Sequence, residues 1–232
     1  DVAAVAEFEA SLTAERKPGR ADAPPAPILH RLAALAPRVA YFREHLALGV
    51  DLARDWETLP TMSRETIALS APLLVPDDAD LERLIIYRTA GTTGHSLLVP
   101  HAPVAAACYQ PLIAFAARRH GARVAPASDR VACFLVGAQA QTVTYATTLP
   151  AWNGAGFAKL NLRASEWPTP ESAHRYFDAM APSLLTGDPI SFSEMLRLEI
   201  PAAPAALIST AVAMSRALRR RLAEAYRCPV ID

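Results

Sequence analysis

From residue 84 onward the chain alternates short aliphatic or β-branched runs with amphipathic stretches, and this alternation constrains the fold more than any other feature. Strand-type runs fall at residues 84–89, 96–100, 130–136, 156–162, 183–186 and 205–209, and residues 229–232 begin another. Helical stretches fall at 104–119, where Pro111 interrupts the pattern, and at 171–180, 190–198 and 214–226. Repeated β-then-α order implies an α/β fold with a mostly parallel sheet flanked by helices. The first two runs are close enough to form a hairpin. Residues 139–152 are ambiguous, with Thr and Val favouring a strand.

Before residue 80 the alternation is absent. Residues 1–16 suit an amphipathic helix with Val2, Val5, Phe8 and Leu12 on one face. Pro18, Gly19, Pro24, Pro25 and Pro27 make residues 17–27 a linker. A helical stretch starts at Ile28, breaks at Pro37, and continues through Val39, Phe42, Leu46 and Leu48. Ser63 followed by Glu65 and Thr66 signals a short capped helix. The expected division is a helical N-terminal cap, residues 1–80, followed by an α/β region, 81–232.

Composition narrows the function. With 52% hydrophobic residues over 232 positions the chain is not a disordered one. Basic and acidic residues balance at 23 each, so the excess typical of nucleic-acid binders is missing. Cys108, Cys133 and Cys228 are odd in number and far apart, which argues against a disulfide framework and for a reducing cytoplasm. No apolar run reaches the roughly 18 residues of a membrane span, and no signal-peptide pattern occurs. The six histidines and three cysteines show no zinc-ligand spacing, so no metal site is expected. There is no G-x-S-x-G elbow. Gly154-Ala155-Gly156 lacks the third glycine of a dinucleotide fingerprint, Lys159 standing in its place, and fits a turn into a strand. Arg216, Arg219, Arg220 and Arg221 fit a solvated helix face, and His45 and His120 surface positions at helix ends. Tyr109, Trp152, Phe157 and Phe192 are expected in the core.

One segment points to chemistry: Thr89-Ala90-Gly91-Thr92-Thr93-Gly94-His95-Ser96. Glycines 91 and 94 allow tight turns with unobstructed backbone N–H groups, and successive N–H groups can form a concave anion site. Three threonine hydroxyls add donors for phosphate oxygens. A glycine-rich hairpin turn has the same composition, so the residues alone leave both readings open. No Walker A lysine is present.

The segment resembles the phosphate-binding loop of the adenylate-forming superfamily, [ST]-[ST]-G-T-T-G-x-P-K. Four further stretches resemble its phenylacetate–CoA ligase-like branch in order and spacing. Val39-Ala40-Tyr41-Phe42-Arg43 is similar to V-P-F-Y-R, and Leu59-Pro60-Thr61-Met62-Ser63-Arg64 to L-P-x-T-x-K. Leu184-Leu185-Thr186-Gly187-Asp188-Pro189 falls where the branch has a strand ending in T-P-S, and Arg227-Cys228-Pro229-Val230-Ile231-Asp232 matches the strand before its Y-G-x-x-E motif. The resemblance runs from about Ile28 to Asp232 and favours a helix for residues 139–152.

The resemblance implies the N-terminal portion of an AMP-forming acyl- or aryl-CoA ligase. Such an enzyme activates a carboxylic acid with ATP and Mg2+ to an acyl-adenylate, then passes the acyl group to CoA. Thr89, Gly91, Thr92, Thr93, Gly94 and His95 would hold phosphates, with Thr210 and Asp232 near adenine. The 81–232 region would be nucleotide-binding, and the acyl pocket would lie near the segments after Val136 and Thr186. The family's catalytic Glu and Lys fall beyond Asp232, so the chain alone is expected to be inactive and to work with the rest of the same enzyme. No nucleic-acid or membrane partner is implied, and a homodimer is compatible. His95 and Ser96 replace the family's Lys and Pro, and Ser209-Thr210-Ala211-Val212 replaces its G-A-E-P. An acyl-protein-type adenylating enzyme and a degenerate, non-catalytic binding domain are the alternatives.

Overall fold

The computed structural model describes residues 2–13, 24–46, 49–52, 54–59, 61–89, 97–124, 130–140, 142 and 144–232. Two compact units are present, one of residues 13–106 and one of residues 2–12 with 107–232.

Helix α1 spans Val2–Thr13, yet only part of its expected apolar face is covered. Val5 is buried and Phe8 and Leu12 are half-buried, whereas Val2 is 81% exposed. The first unit then carries α2 (Ala26–Leu35), α3 (Ala40–His45) and α4 (Arg64–Ser70). Pro37 cannot donate an N–H, so the chain tightens after α2 into a 3-10 turn, Ala36–Arg38, before α3 begins. Leu48, expected to prolong that stretch, lies outside the described residues. The Val39-Ala40-Tyr41-Phe42-Arg43 stretch is a packing element: Val39 and Tyr41 are buried and Val39 bridges Pro76. Arg43 pairs with Asp77 at 2.5 Å and Arg38 with Asp78. Ser63 caps α4, its Oγ accepting the Thr66 N–H at 3.0 Å. The unit ends in an antiparallel hairpin of β1 (Ile85–Arg88) and β2 (Leu98–His101).

The helical stretch 104–119 is two helices, α5 (Pro103–Ala107) and α6 (Tyr109–Arg119). The restart at Tyr109 puts Pro111 in the first turn of α6, where a missing N–H leaves no helical bond unmade. Next come β3 (Val131–Gly137), β4 (Tyr145–Leu149) and β5 (Ala155–Asn161). The ambiguous segment 139–152 therefore holds a strand and a 3-10 turn, Pro150–Trp152, in place of the helix that the resemblance favours. The alternation finishes with α7 (Pro170–Met180), β6 (Leu184–Gly187), α8 (Pro189–Arg197), β7 (Ala206–Ser209), α9 (Arg216–Tyr226) and β8 (Val230–Ile231).

These six strands form one sheet in the order β4-β5-β3-β6-β7-β8, parallel except for β4 at one edge. Strands β6 and β7 are buried at every position, which is why they read as mostly apolar, with Thr186 and Ser209 the buried polar exceptions. One face packs Phe134, Val136, Leu160, Leu185 and Leu207 against Phe177, Phe192, Met195, Leu222 and Tyr226 of α7, α8 and α9. The other packs Cys133, Leu184, Ala206, Ile208 and Ile231 with Ala114 and Ala117 of α6 and with Trp152. Of the aromatics expected inside, Trp152 and Phe192 are buried and Phe157 is half-buried. Tyr109 is instead 52% exposed, because it opens α6 on the side away from Ala114 and Ala117.

Candidate functional site

Strand order fixes where a ligand can enter the second unit. From β3 the chain proceeds to β5 on one side; from β5 it returns to β6 on the other side of β3. Connections leaving neighbouring parallel strands in opposite directions open a crevice at their carboxyl ends. That switch point lies between β3 and β6 and brings together Gly137, Gly187 and the segments that follow them.

The backbones there are close. A Cβ on Gly187 would stand 2.8 Å from the Val136 carbonyl oxygen, inside van der Waals contact, so a side chain is excluded without a shift. Asp188 caps α8, its Oδ1 accepting the Ser191 N–H at 2.7 Å. Below the rim, Cys133 is fully buried beside Thr186, and loss of solvent pushes its thiol up to about 12. It is a packing residue and no nucleophile.

Thr210 follows β7, and its N–H donates to the Gly187 carbonyl at 2.9 Å. Its hydroxyl is 3.5 Å from the same oxygen, a weak contact that leaves it available. The Val212 N–H then donates to the Thr210 carbonyl at 3.0 Å across Ala211, whose φ is +76°. This is a γ-turn with a non-glycine residue in the left-handed half of φ space, a costly conformation. Asp232 follows β8, and both its carboxylate oxygens accept the Met214 N–H, at 3.2 and 3.1 Å. Ile208 and Ile231 are register partners, so Thr210 and Asp232 emerge from the same rim of adjacent strands. Ser191 Oγ and Ser209 Oγ are buried near this rim without a hydrogen-bond partner among the described residues.

Asn161, which sequence reasoning passed over, organises the segment after β3. It is 1% exposed; its Nδ2 donates to the Gln139 carbonyl at 2.8 Å, and its Oδ1 accepts the N–H groups of Gln139 at 3.2 Å and Arg163 at 3.3 Å. Arg163 adds a bond to the Ala140 carbonyl at 3.0 Å. The only available signal was a polar residue ending an apolar strand.

In the first unit, Thr89 follows β1. Its Oγ1 accepts from the Arg64 guanidinium at 2.9 Å and from the Leu97 N–H at 2.9 Å. With both lone pairs engaged, the hydroxyl hydrogen is left to donate to an anion, beside a fixed positive charge. Arg64 enters the site through the Leu59–Arg64 motif, an association invisible to spacing alone. The other loop residues, Gly91, Thr92, Thr93, Gly94 and His95, lie outside the described residues. Among the described residues no group of three or more His, Cys, Asp or Glu side chains could hold a metal ion, and no helix is long and apolar enough to cross a membrane.

A helical N-terminal region followed by a largely parallel sheet flanked by helices is consistent with the fold of an adenylate-forming enzyme N-terminal domain. The solved structures sharing it include three of 2-hydroxyisobutyryl-CoA ligase. An open conformation, in complex with 2-HIB-AMP and CoA, matches 88% of this chain and 47% of its own, with a TM-score of 0.59 and 10% identity. A postadenylation state with 2-HIB-AMP matches 97% and 54%, with a TM-score of 0.53 and 14% identity. Another, with R3-HIB-AMP, matches 99% and 47%, with a TM-score of 0.52 and 10% identity. The chain thus spans about half the length of these structures. No family model matches the sequence, and no curated protein sequence matches it. The likeness to these structures is one of fold.

Proposed function

We propose that the chain serves ATP-dependent activation of a carboxylate to an acyl-adenylate, followed by thioester formation with CoA, as in the phenylacetate–CoA ligase-like branch. One observation carries this reading: Thr210 and Asp232, which the resemblance assigns to adenine, leave adjacent parallel strands at the rim that holds the topological switch.

The donor set suits a nucleotide. Asp232 has acceptor capacity left over from the Met214 N–H and can take an exocyclic amine. The Thr210 hydroxyl can serve ribose or base. Thr89, with Arg64 behind it, supplies a hydroxyl donor and positive charge for phosphate, and Gly91, Thr92, Thr93, Gly94 and His95 would add backbone and side-chain donors. Bound ATP with Mg2+ supplies an electrophilic α-phosphate. The protein's part is to clamp charge that develops on the phosphates, where fixed donors count most. The segment after β3, held by Asn161, would line the acyl group.

A non-catalytic nucleotide-binding domain is the second reading, favoured by the strained Ala211 turn where the family carries an acid. Calorimetric titration of the chain with AMP tests the site. Thr210→Val should weaken binding about two- to tenfold, the worth of a neutral hydrogen bond, and Asp232→Ala about tenfold or more, the worth of one to a charged group. AMP affinity unchanged by both would refute the assignment. Pyrophosphate–ATP exchange with a panel of carboxylic acids, run on a form that carries the distal acid and lysine, then separates the two readings.

A further inference from the structure

A concave groove of about 410 Å³ lies in the second unit between α9, the start of β8 and the turn after α6. Arg216, Arg219 and Arg220 line it together with His120, Cys228 and Pro229. The three arginines are spaced i, i+3 and i+4, so their stems rise from one patch of the helix about 5–6 Å apart. None of the three makes an ion pair with a carboxylate among the described residues. Burial pushes the Cys228 thiol up to about 11, so it stays neutral and adds no negative charge.

The arrangement is unfavourable for the helix itself. Arg216 is the first residue of α9, and its first turn holds no acid. Like charges at i, i+3 and i+4 repel, and cations at a helix N-terminus oppose the macrodipole. A solvated face designed for stability would carry acids here. A chain of zero net charge that masses guanidinium groups on one concave patch has built a focused positive field.

We infer that this groove binds a compact phosphate group, a terminal monoester or a pyrophosphate, clamped by Arg216, Arg219 and Arg220. Planar guanidinium forks match phosphate oxygens in pairs, and three on a single patch suit one small, multiply charged anion. Among the described residues no Phe, Tyr or Trp lines the groove, so the broad aromatic platforms that usually hold single-stranded nucleic acid are absent from it. The inference goes beyond the proposed nucleotide site and stands without it.

The test is calorimetric titration of the 232-residue chain with inorganic pyrophosphate and, separately, with ribose 5-phosphate, which has no base for an adenine site. We expect saturable binding of pyrophosphate, weakened about tenfold or more by the double variant Arg219→Gln/Arg220→Gln. Ribose 5-phosphate binding at the same residues would identify a monoester as the ligand group, and pyrophosphate binding alone a diphosphate. Both variant positions are exposed, so folding should be retained, and circular dichroism verifies it. The loss caused by Arg219→Gln/Arg220→Gln should be the same in a Thr92→Val/Thr93→Val background, which separates the groove from the proposed phosphate loop. Arg123→Gln, in a neighbouring groove that also holds Arg118, should change it less than about twofold. Equal loss from Arg123→Gln would reveal diffuse charge and overturn the proposal. So would no binding of either probe, or tighter binding of a short RNA than of both.

Discussion

Replacing Asn161 by Ala tests how the strand ends of the second unit are held in shape. Three hydrogen bonds go with the side chain: the Nδ2 bond to the Gln139 carbonyl at 2.8 Å and two longer ones, 3.2 and 3.3 Å, to Oδ1. A net bond is worth about 1 kcal/mol, and buried groups left unmatched cost more. Gln139 is exposed and its backbone groups can recover water, which lowers the total. The expected loss is about 1.5–3 kcal/mol, or roughly 3–12 °C in melting temperature for a chain this long. Urea unfolding measures the free energy. Asn161→Asp sharpens the test, because it keeps the acceptor but sets a second oxygen against the Gln139 carbonyl. When charged it repels that oxygen; when protonated it can donate to it. Its folded pKa is therefore raised, the folded state binds more protons, and stability falls as pH rises from about 4 through that value. The Asp variant should approach the parent near about pH 4–5 and fall well below it near about pH 8. An Ala variant within about 0.5 kcal/mol of the parent, or an Asp variant whose loss ignores pH, would refute the reasoning.

Gly187→Ala should cost about 1–3 kcal/mol in urea unfolding, because its Cβ would meet the Val136 carbonyl at 2.8 Å; it should also weaken AMP binding, since Gly187 anchors the Thr210 N–H. Gly137→Ala, whose nearest contact would be 3.7 Å, is the control and should lose little; equal losses would discount the close approach. Lys159 sits half-buried on β5 with no carboxylate partner among the described residues, and desolvation holds its ammonium below its ordinary 10.5. Between the folded and unfolded values the unfolded state binds more protons, so stability rises with pH there. Lys159→Met should melt higher than the parent at neutral pH, with the gap closing as pH nears 10.5. A gap that stays constant with pH would mean that the gain comes from packing.

Much of the architecture was legible in the residues. The runs at 130–136, 183–186 and 205–209 anticipated β3, β6 and β7 because strands covered on both faces are mostly apolar. Ser63 marked the start of α4 because a cap is a local interaction, complete within four residues. Segment 139–152 was not legible: β4 exists because β5 offers it an edge, a partner that local composition does not encode. Pro111 announced a break in 104–119 and the structure chose its place. The apolar stripe of α1 named Val2 as readily as Val5, and tertiary packing covered only one of the two.

The candidate functional residues of each unit divide along the same line. Thr89, Thr210 and Asp232 could be named from collinear motifs, since a motif is a short-range pattern. That Thr210 and Asp232 share a rim, that Gly187 touches Val136, and that Arg64 reaches Thr89 are facts of long-range register and packing. So are the burial of Asn161 and the groove shared by His120 and the α9 arginines. The amino-acid order by itself determined most of the strands and helices and which residues could hold a phosphate, because hydrophobic period and backbone freedom act over a few residues. Only the tertiary structure decided which of those groups meet and which carbonyls already occupy them, because such contacts join residues far apart in the chain.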